Sequence, residues 1–144
     1  MLNTATLDFL PPSFELKLAL PLASFSVSAG FPSPAEDYLE GRLDLNEYFI
    51  RHPAATFYVK VSGDSMRGAG ILDGDLLIVD RAVACTDGSI VVARLGDEFT
   101  LKRILKKGDR VFLQPENEKF QAIEVNADSD CEIWGRVVGS VRRY

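Results

Sequence analysis

Histidine is nearly absent from this sequence: His52 is the only one in 144 residues, and it stands directly before Pro53. Most catalytic zinc sites are assembled from several imidazoles, so this scarcity and the lack of an H-E-x-x-H motif argue against that chemistry. A Ser-His-Asp triad would have to recruit His52 from a position that Pro53 biases toward a turn or extended loop. Cysteine is almost as scarce. Cys85 and Cys131 are too few for a disulfide-stapled secreted scaffold and too far apart for a C-x-x-C motif, which makes a reducing cytoplasm the expected setting. Positive charge is in deficit as well. Sixteen Lys and Arg against 21 Asp and Glu leave a net charge of -5. No overall positive field gathers nucleic-acid phosphates, and tight direct DNA binding is not expected.

Long apolar runs are missing too. None reaches the roughly 18–20 residues that span a bilayer, and the nearest, residues 16–30, is interrupted by Lys17 and Pro21. No membrane attachment is expected. That stretch ends in Val27-Ser28-Ala29-Gly30, whose small residues suit a processing site. The residues before it carry Asp8 and Glu15 and no basic residue where a secretory signal needs a positive n-region. The small-residue segment therefore needs another explanation.

What is present is the composition of one compact domain, 47% hydrophobic and 26% charged. Residues 1–29, with Pro11, Pro12 and Pro21, read as an extended arm with a short alternating strand near residues 14–20. They hold no amphipathic helix pair, hence no helix-turn-helix. Ser33, Pro34 and Glu36 form a capping-box pattern that predicts a short helix ending near Gly41. Asp44 and Glu47 repeat the signal for a second short helix, stopped by Pro53, with Leu45, Tyr48 and Phe49 as its apolar stripe. From Thr56 onward the pattern is β. Seven short runs rich in β-branched and aromatic residues are separated by Gly, Asp or Asn turns. The expected fold is mainly β: a small coiled antiparallel sheet or partly open barrel, with short helices and an extended N-terminal arm.

Chemistry enters at the turn after the first of these runs. Gly63 lets the backbone bend sharply and presents Ser65 at a strand end, where a hydroxyl becomes a nucleophile if a base lies within reach. The turn is not a G-x-S-x-G elbow, because Arg67 stands where the second Gly belongs. From the turn alone, a polar turn without chemistry is the favoured reading of these residues. The second candidate is Lys102. Alternation puts Phe99, Leu101, Arg103 and Leu105 on one face and Glu98, Thr100, Lys102 and Ile104 on the other, and each face mixes apolar residues with a cation. The pattern leaves open which face is buried. A desolvated Lys102 would have a lowered pKa and could take a proton from a serine, whereas an exposed one would merely deter edge pairing.

Together these segments resemble a known family. Val61-Ser62-Gly63-Asp64-Ser65-Met66, the acidic turn and strand at residues 72–80, and Thr100-Leu101-Lys102-Arg103-Ile104 closely resemble the LexA/UmuD (S24) family of self-cleaving serine-lysine peptidases. The tail Trp134-Gly135-Arg136-Val137-Val138 is similar to that family's closing strand, and Ala29-Gly30 looks like its cleavage site. The resemblance covers residues from about 29 to 144 and is nearer the UmuD type than the repressors, which place several tens of residues of DNA-binding domain before the cleavage site.

The resemblance implies Ser65 as nucleophile, neutral Lys102 as general base and then general acid, and the backbone N–H groups of Asp64 and Ser65 as oxyanion hole. Met66 is expected to pack beneath the turn. An arm of residues 1–29 would be removed by a cut between Ala29 and Gly30, leaving residues 30–144 as a peptidase and dimerisation domain. No metal or cofactor is implied. The implied partners are a second copy of the chain, a RecA-type recombinase filament on single-stranded DNA as activator, and an error-prone Y-family polymerase served in translesion synthesis. The apolar strand residues Trp134, Val137 and Val138 are candidates for self-association. The alternative from another functional class is a noncatalytic dimeric module that recruits the polymerase.

Overall fold

The computed structural model describes residues 17–23 and 39–144. These fall into two compact units, one within Ser13–Arg51 and one over His52–Tyr144.

In the smaller unit, β1 (Leu20–Ala23) pairs antiparallel with β2 (Leu39–Leu43). Pro21, which has no N–H to give a ladder, is tolerated because both strands of a two-stranded ribbon are edges. The register shifts between Leu22 and Ala23, beside Gly41, whose φ of +137° suits glycine. The segment expected to close a helix near Gly41 is therefore strand. Pairing with β1 overrides the local helix signal there, and residues 33–38, which carry that signal, lie outside the described residues. Of the strand expected near residues 14–20, residues 14–16 also lie outside them, and regular structure starts only at Leu20.

The second expected helix is present as α1 (Leu45–Phe49). Asp44 caps it: one carboxylate oxygen accepts from the Asn46 N–H at 2.9 Å and the other from the Leu18 N–H at 3.0 Å. Its predicted stripe is not buried, since Leu45 and Tyr48 are exposed. So short a helix cannot turn a whole face inward, and the buried residue is Ile50, at its C-cap.

All seven predicted strands appear in the larger unit: β3 (Thr56–Lys60), β4 (Leu76–Asp80), β5 (Ile90–Leu95), β6 (Glu98–Lys107), β7 (Arg110–Gln114), β8 (Ile123–Val125) and β9 (Cys131–Val141). They form one antiparallel sheet in the order β3-β4-β9-β5-β6-β7-β8, open at β3 and β8. The last strand thus lies inside the sheet, and its register shifts against both neighbours, between Ile78 and Val79 on one side and between Val92 and Ala93 on the other. Such irregularities bend and coil a sheet.

The coiling gives two cores. Phe57, Met66, Ile71, Leu77, Val79, Val92 and Trp134 make one, while Val91, Ala93, Ile104 and Leu113 make the other. Trp134 is buried, edge-on to Phe99 at 4.9 Å and covered by the Arg81 guanidinium. It is core, and so is not on offer for self-association. A Cβ on Gly135 would lie 2.7 Å from Val79 Cγ1, so close strand packing requires the glycine after this tryptophan.

Candidate active site

Strand β3 ends at Lys60, and the chain bends at Gly63, whose φ of +92° is open to glycine and strained for other residues. The Gly63 N–H donates to Asp73 Oδ1 at 2.8 Å. Three residues later Met66 drops into the first core with 1% of its surface exposed. This anchor sits beneath the turn, as expected, and leaves Ser65 half-buried on the rim. Ser65 Oγ makes no hydrogen bond among the described residues. The N–H groups of Asp64 and Ser65 likewise donate to nothing among them, which leaves both donors available to a negatively charged oxygen.

The structure resolves the ambiguity of β6. Lys102 pairs across with Val91, which is fully buried, and Lys102 itself is only 8% exposed. Its amine donates to Thr100 Oγ1 at 2.8 Å and to the Leu101 carbonyl at 3.2 Å. Among the described residues no carboxylate pairs with it. Burial alone therefore acts on the ammonium and pushes the Lys102 pKa below its ordinary value. Arg103, on the other face of β6, is half-buried and meets the Glu116 carboxylate.

A cleft of about 300 Å³ brings the two elements together. Its walls include Val59, Val61, Ser65, Met66, Phe99 and Thr100. Ser65 thus shares one cleft with Thr100, whose hydroxyl accepts from the Lys102 amine, while Lys102 itself does not line it. No direct hydrogen bond joins Ser65 to Lys102 among the described residues. Ala29 and Gly30 lie outside the described residues.

His52, set aside as a base, has a structural partner instead. Its Nδ1 lies 2.7 Å from Oδ2 of Asp80, a carboxylate only 2% exposed. Sequence reasoning missed that pairing, and it missed Thr100 as the residue that steadies the lysine. The signal for Thr100 was available, because alternation puts it on the Lys102 face two positions away. It also missed Asn117, which donates to the Asp64 carbonyl across 53 positions of chain. Nothing local announces such a contact.

Comparison with known proteins finds a matching family and many relatives. The Peptidase S24-like family matches residues 21–138. The chain is 45% identical to Protein MucA of Salmonella typhimurium over 124 residues, 85% of this chain and 84% of that one. It is 43% identical to Protein ImpA of Escherichia coli over 132 residues, 92% of this chain and 90% of the relative. A LexA repressor of Idiomarina loihiensis is 45% identical over 130 residues, which cover 90% of this chain and 62% of the repressor.

Proposed function

Because this chain belongs to the Peptidase S24-like family, we propose that Ser65 and Lys102 are its catalytic pair and that they cut the chain between Ala29 and Gly30. The protein is a self-cleaving serine peptidase of the SOS mutagenesis type. The observation that carries the assignment is the buried Lys102 amine, without a carboxylate partner among the described residues, held by Thr100, which lines the same cleft as Ser65.

In this reading the neutral Lys102 amine takes the Ser65 hydroxyl proton as Oγ attacks the Ala29 carbonyl carbon. Negative charge moves to the carbonyl oxygen, where the Asp64 and Ser65 N–H groups receive it; such donors are typically worth ~3 kcal/mol each in the transition state. Lys102 then returns the proton to the Gly30 nitrogen as the peptide bond breaks. Water attacks the resulting ester with Lys102 again as base, which releases the Ala29 carboxylate and restores Ser65. Thr100 holds the amine during these transfers, and desolvation shifts it toward the neutral form. Holding the scissile bond in the cleft makes the first step effectively unimolecular, so a modest nucleophile suffices.

Residues 1–29 are then the arm that is shed and residues 30–144 the working domain. The partners belong to the SOS response. More finely, we assign a second copy of the chain, a RecA-type filament on single-stranded DNA that favours the docked, lysine-neutral state, and an error-prone Y-family polymerase that the trimmed dimer assists. No helix among the described residues is long and apolar enough to cross a membrane, and we place the protein in the cytoplasm.

The test is incubation of the purified full chain at alkaline pH, and separately with the filament, followed by intact mass. Fragments of residues 1–29 and 30–144 are expected, with Ser65→Ala and Lys102→Ala each inert and still folded. An intact wild-type chain under both conditions would leave the noncatalytic polymerase-recruiting module as the reading.

A further inference from the structure

The turn that carries Ser65 has no strand partner of its own, yet its carbonyls are held. Among the described residues, its Asp64–Gly68 stretch takes three hydrogen bonds from the loop between β7 and β8, while Arg142 holds the Gly70 carbonyl further along. The Glu116 N–H donates to the Ser65 carbonyl at 2.8 Å, and the Glu116 carbonyl accepts from the Gly68 N–H at 2.6 Å. The Asn117 side-chain amide donates to the Asp64 carbonyl at 2.9 Å. The amide is itself oriented, since its oxygen accepts from the Lys119 N–H at 3.0 Å.

The Asp64 carbonyl and the Ser65 N–H are the two ends of one peptide unit. That unit is planar and trans, so fixing the direction of its oxygen fixes the opposite direction of its N–H. A hydrogen bond accepted by the oxygen also polarises the group and strengthens the N–H as a donor. The same loop is tied to the strand that carries the lysine: the Glu116 carboxylate meets Arg103, the residue after Lys102, and Arg103 Nη1 donates to the Gly88 carbonyl at 2.7 Å.

We propose that Asn117 is a positioning residue for self-cleavage, aiming and strengthening the Ser65 N–H as an oxyanion donor by holding the Asp64 carbonyl, with the Arg103–Glu116 pair setting the loop relative to β6. This rests on the reading of Ser65 and Lys102 given above. Asn117 itself touches none of the reacting atoms. Its contribution appears only as charge develops on the substrate oxygen, so it acts on the rate of the chemical step and leaves the titration of the base alone.

The experiment compares the full chain with Asn117→Ala and Asn117→Asp. Self-cleavage is followed from pH 7 to 10 by intact mass, and thermal unfolding is measured on each protein. Asp keeps the shape of Asn and the oxygen that caps Lys119 but cannot donate when ionised. The expected result is a plateau rate lower by about tenfold or more in both variants, because removing an oxyanion donor outright costs about 100-fold to 1000-fold. In Asn117→Ala the pH midpoint should match the wild type and the thermal midpoint should stay close to it. Labelling of Ser65 by a fluorophosphonate, whose phosphoryl oxygen seeks the same donors, should slow in parallel without any need for arm docking. Wild-type plateaus in both variants would overturn the proposal, as would a loss that comes with a displaced pH midpoint or a lowered thermal midpoint. Cleavage that survives in Ser65→Ala and Lys102→Ala would instead remove the site reading beneath it.

Discussion

Lys102 is almost fully buried, with hydrogen-bond acceptors but no carboxylate beside it among the described residues, and burial lowers its pKa from the ordinary 10.5. The unfolded chain therefore binds a proton at this site that the folded chain resists, over the window between the lowered native value and 10.5. Stability must rise with pH through that window, and the full penalty applies below it. Replacing Lys102 by Met keeps the volume and removes the charge. The variant is expected to be inert in self-cleavage and to melt above the wild type at pH 7, with the gap closing as the pH approaches 10. Thermal unfolding across that range checks it, and a variant less stable than the wild type at pH 7 would mean that the ammonium is better solvated than its surroundings indicate. His52→Ala should leave the cleavage rate essentially unchanged, because the His52 ring serves Asp80 and not Ser65.

At the scale of elements, the strands were legible and the way they are fastened together was not. Every run of β-branched and aromatic residues from Thr56 to Val141 became a strand, because period-2 alternation and glycine turns are local signals. The burial of Lys102 was not legible, since both faces of β6 carry one cation and apolar neighbours and only the partner Val91 decides between them. Near Gly41 a local helix signal lost to pairing with β1. The loop that holds the Ser65 turn reads as an ordinary Pro-Glu-Asn connection, and its role arises from contacts far away in sequence.

Gly68 shows how tight that fastening is. Its φ is not positive, so the backbone itself accepts alanine, but a Cβ there would stand 2.6 Å from the Glu116 carbonyl oxygen. Gly68→Ala must push the β7–β8 loop off the turn and break the Gly68 N–H bond. A cost of about 1–3 kcal/mol is expected from the overpacking, with self-cleavage slowed about tenfold or more as the Asp64–Ser65 peptide loses its hold. Gly63→Ala provides the contrast: nothing lies within 4 Å of the added Cβ, and only the φ of +92° is strained, for about 1–2 kcal/mol. Denaturant unfolding and cleavage rates on both variants check this. Equal catalytic loss in the two would show that the turn is merely sensitive and that the loop has no special grip on it.

Across the whole molecule, the end of the chain is locked back onto the turn that leads away from Ser65. Arg142, just beyond β9, donates to both oxygens of Asp75 at 2.7 Å and to the Gly70 carbonyl at 3.0 Å, and Asp75 also accepts from the Leu72 N–H at 2.9 Å. The Asp75 side chain is 2% exposed. The Arg142 hydrogen bonds, and after them the Leu72 N–H, hold its pKa down at about 2 from an ordinary 3.8. A lowered native value means that the ionised form stabilises the fold. That contribution is complete above the unfolded value and is lost progressively as the pH falls from 3.8 to about 2. Asp75→Asn should therefore melt below the wild type by a constant margin at pH 5 and above, by a shrinking margin below pH 4, and by almost none near pH 2. Arg142→Ala should be the more damaging change at pH 7, because it strands a buried carboxylate without its cation, and it should recover relative to the wild type as acid protonates Asp75. Melting curves of the three proteins from pH 2 to 7 decide the matter. A margin between the wild type and Asp75→Asn that is as wide at pH 2 as at pH 7 would show that the lock acts through shape and not through charge.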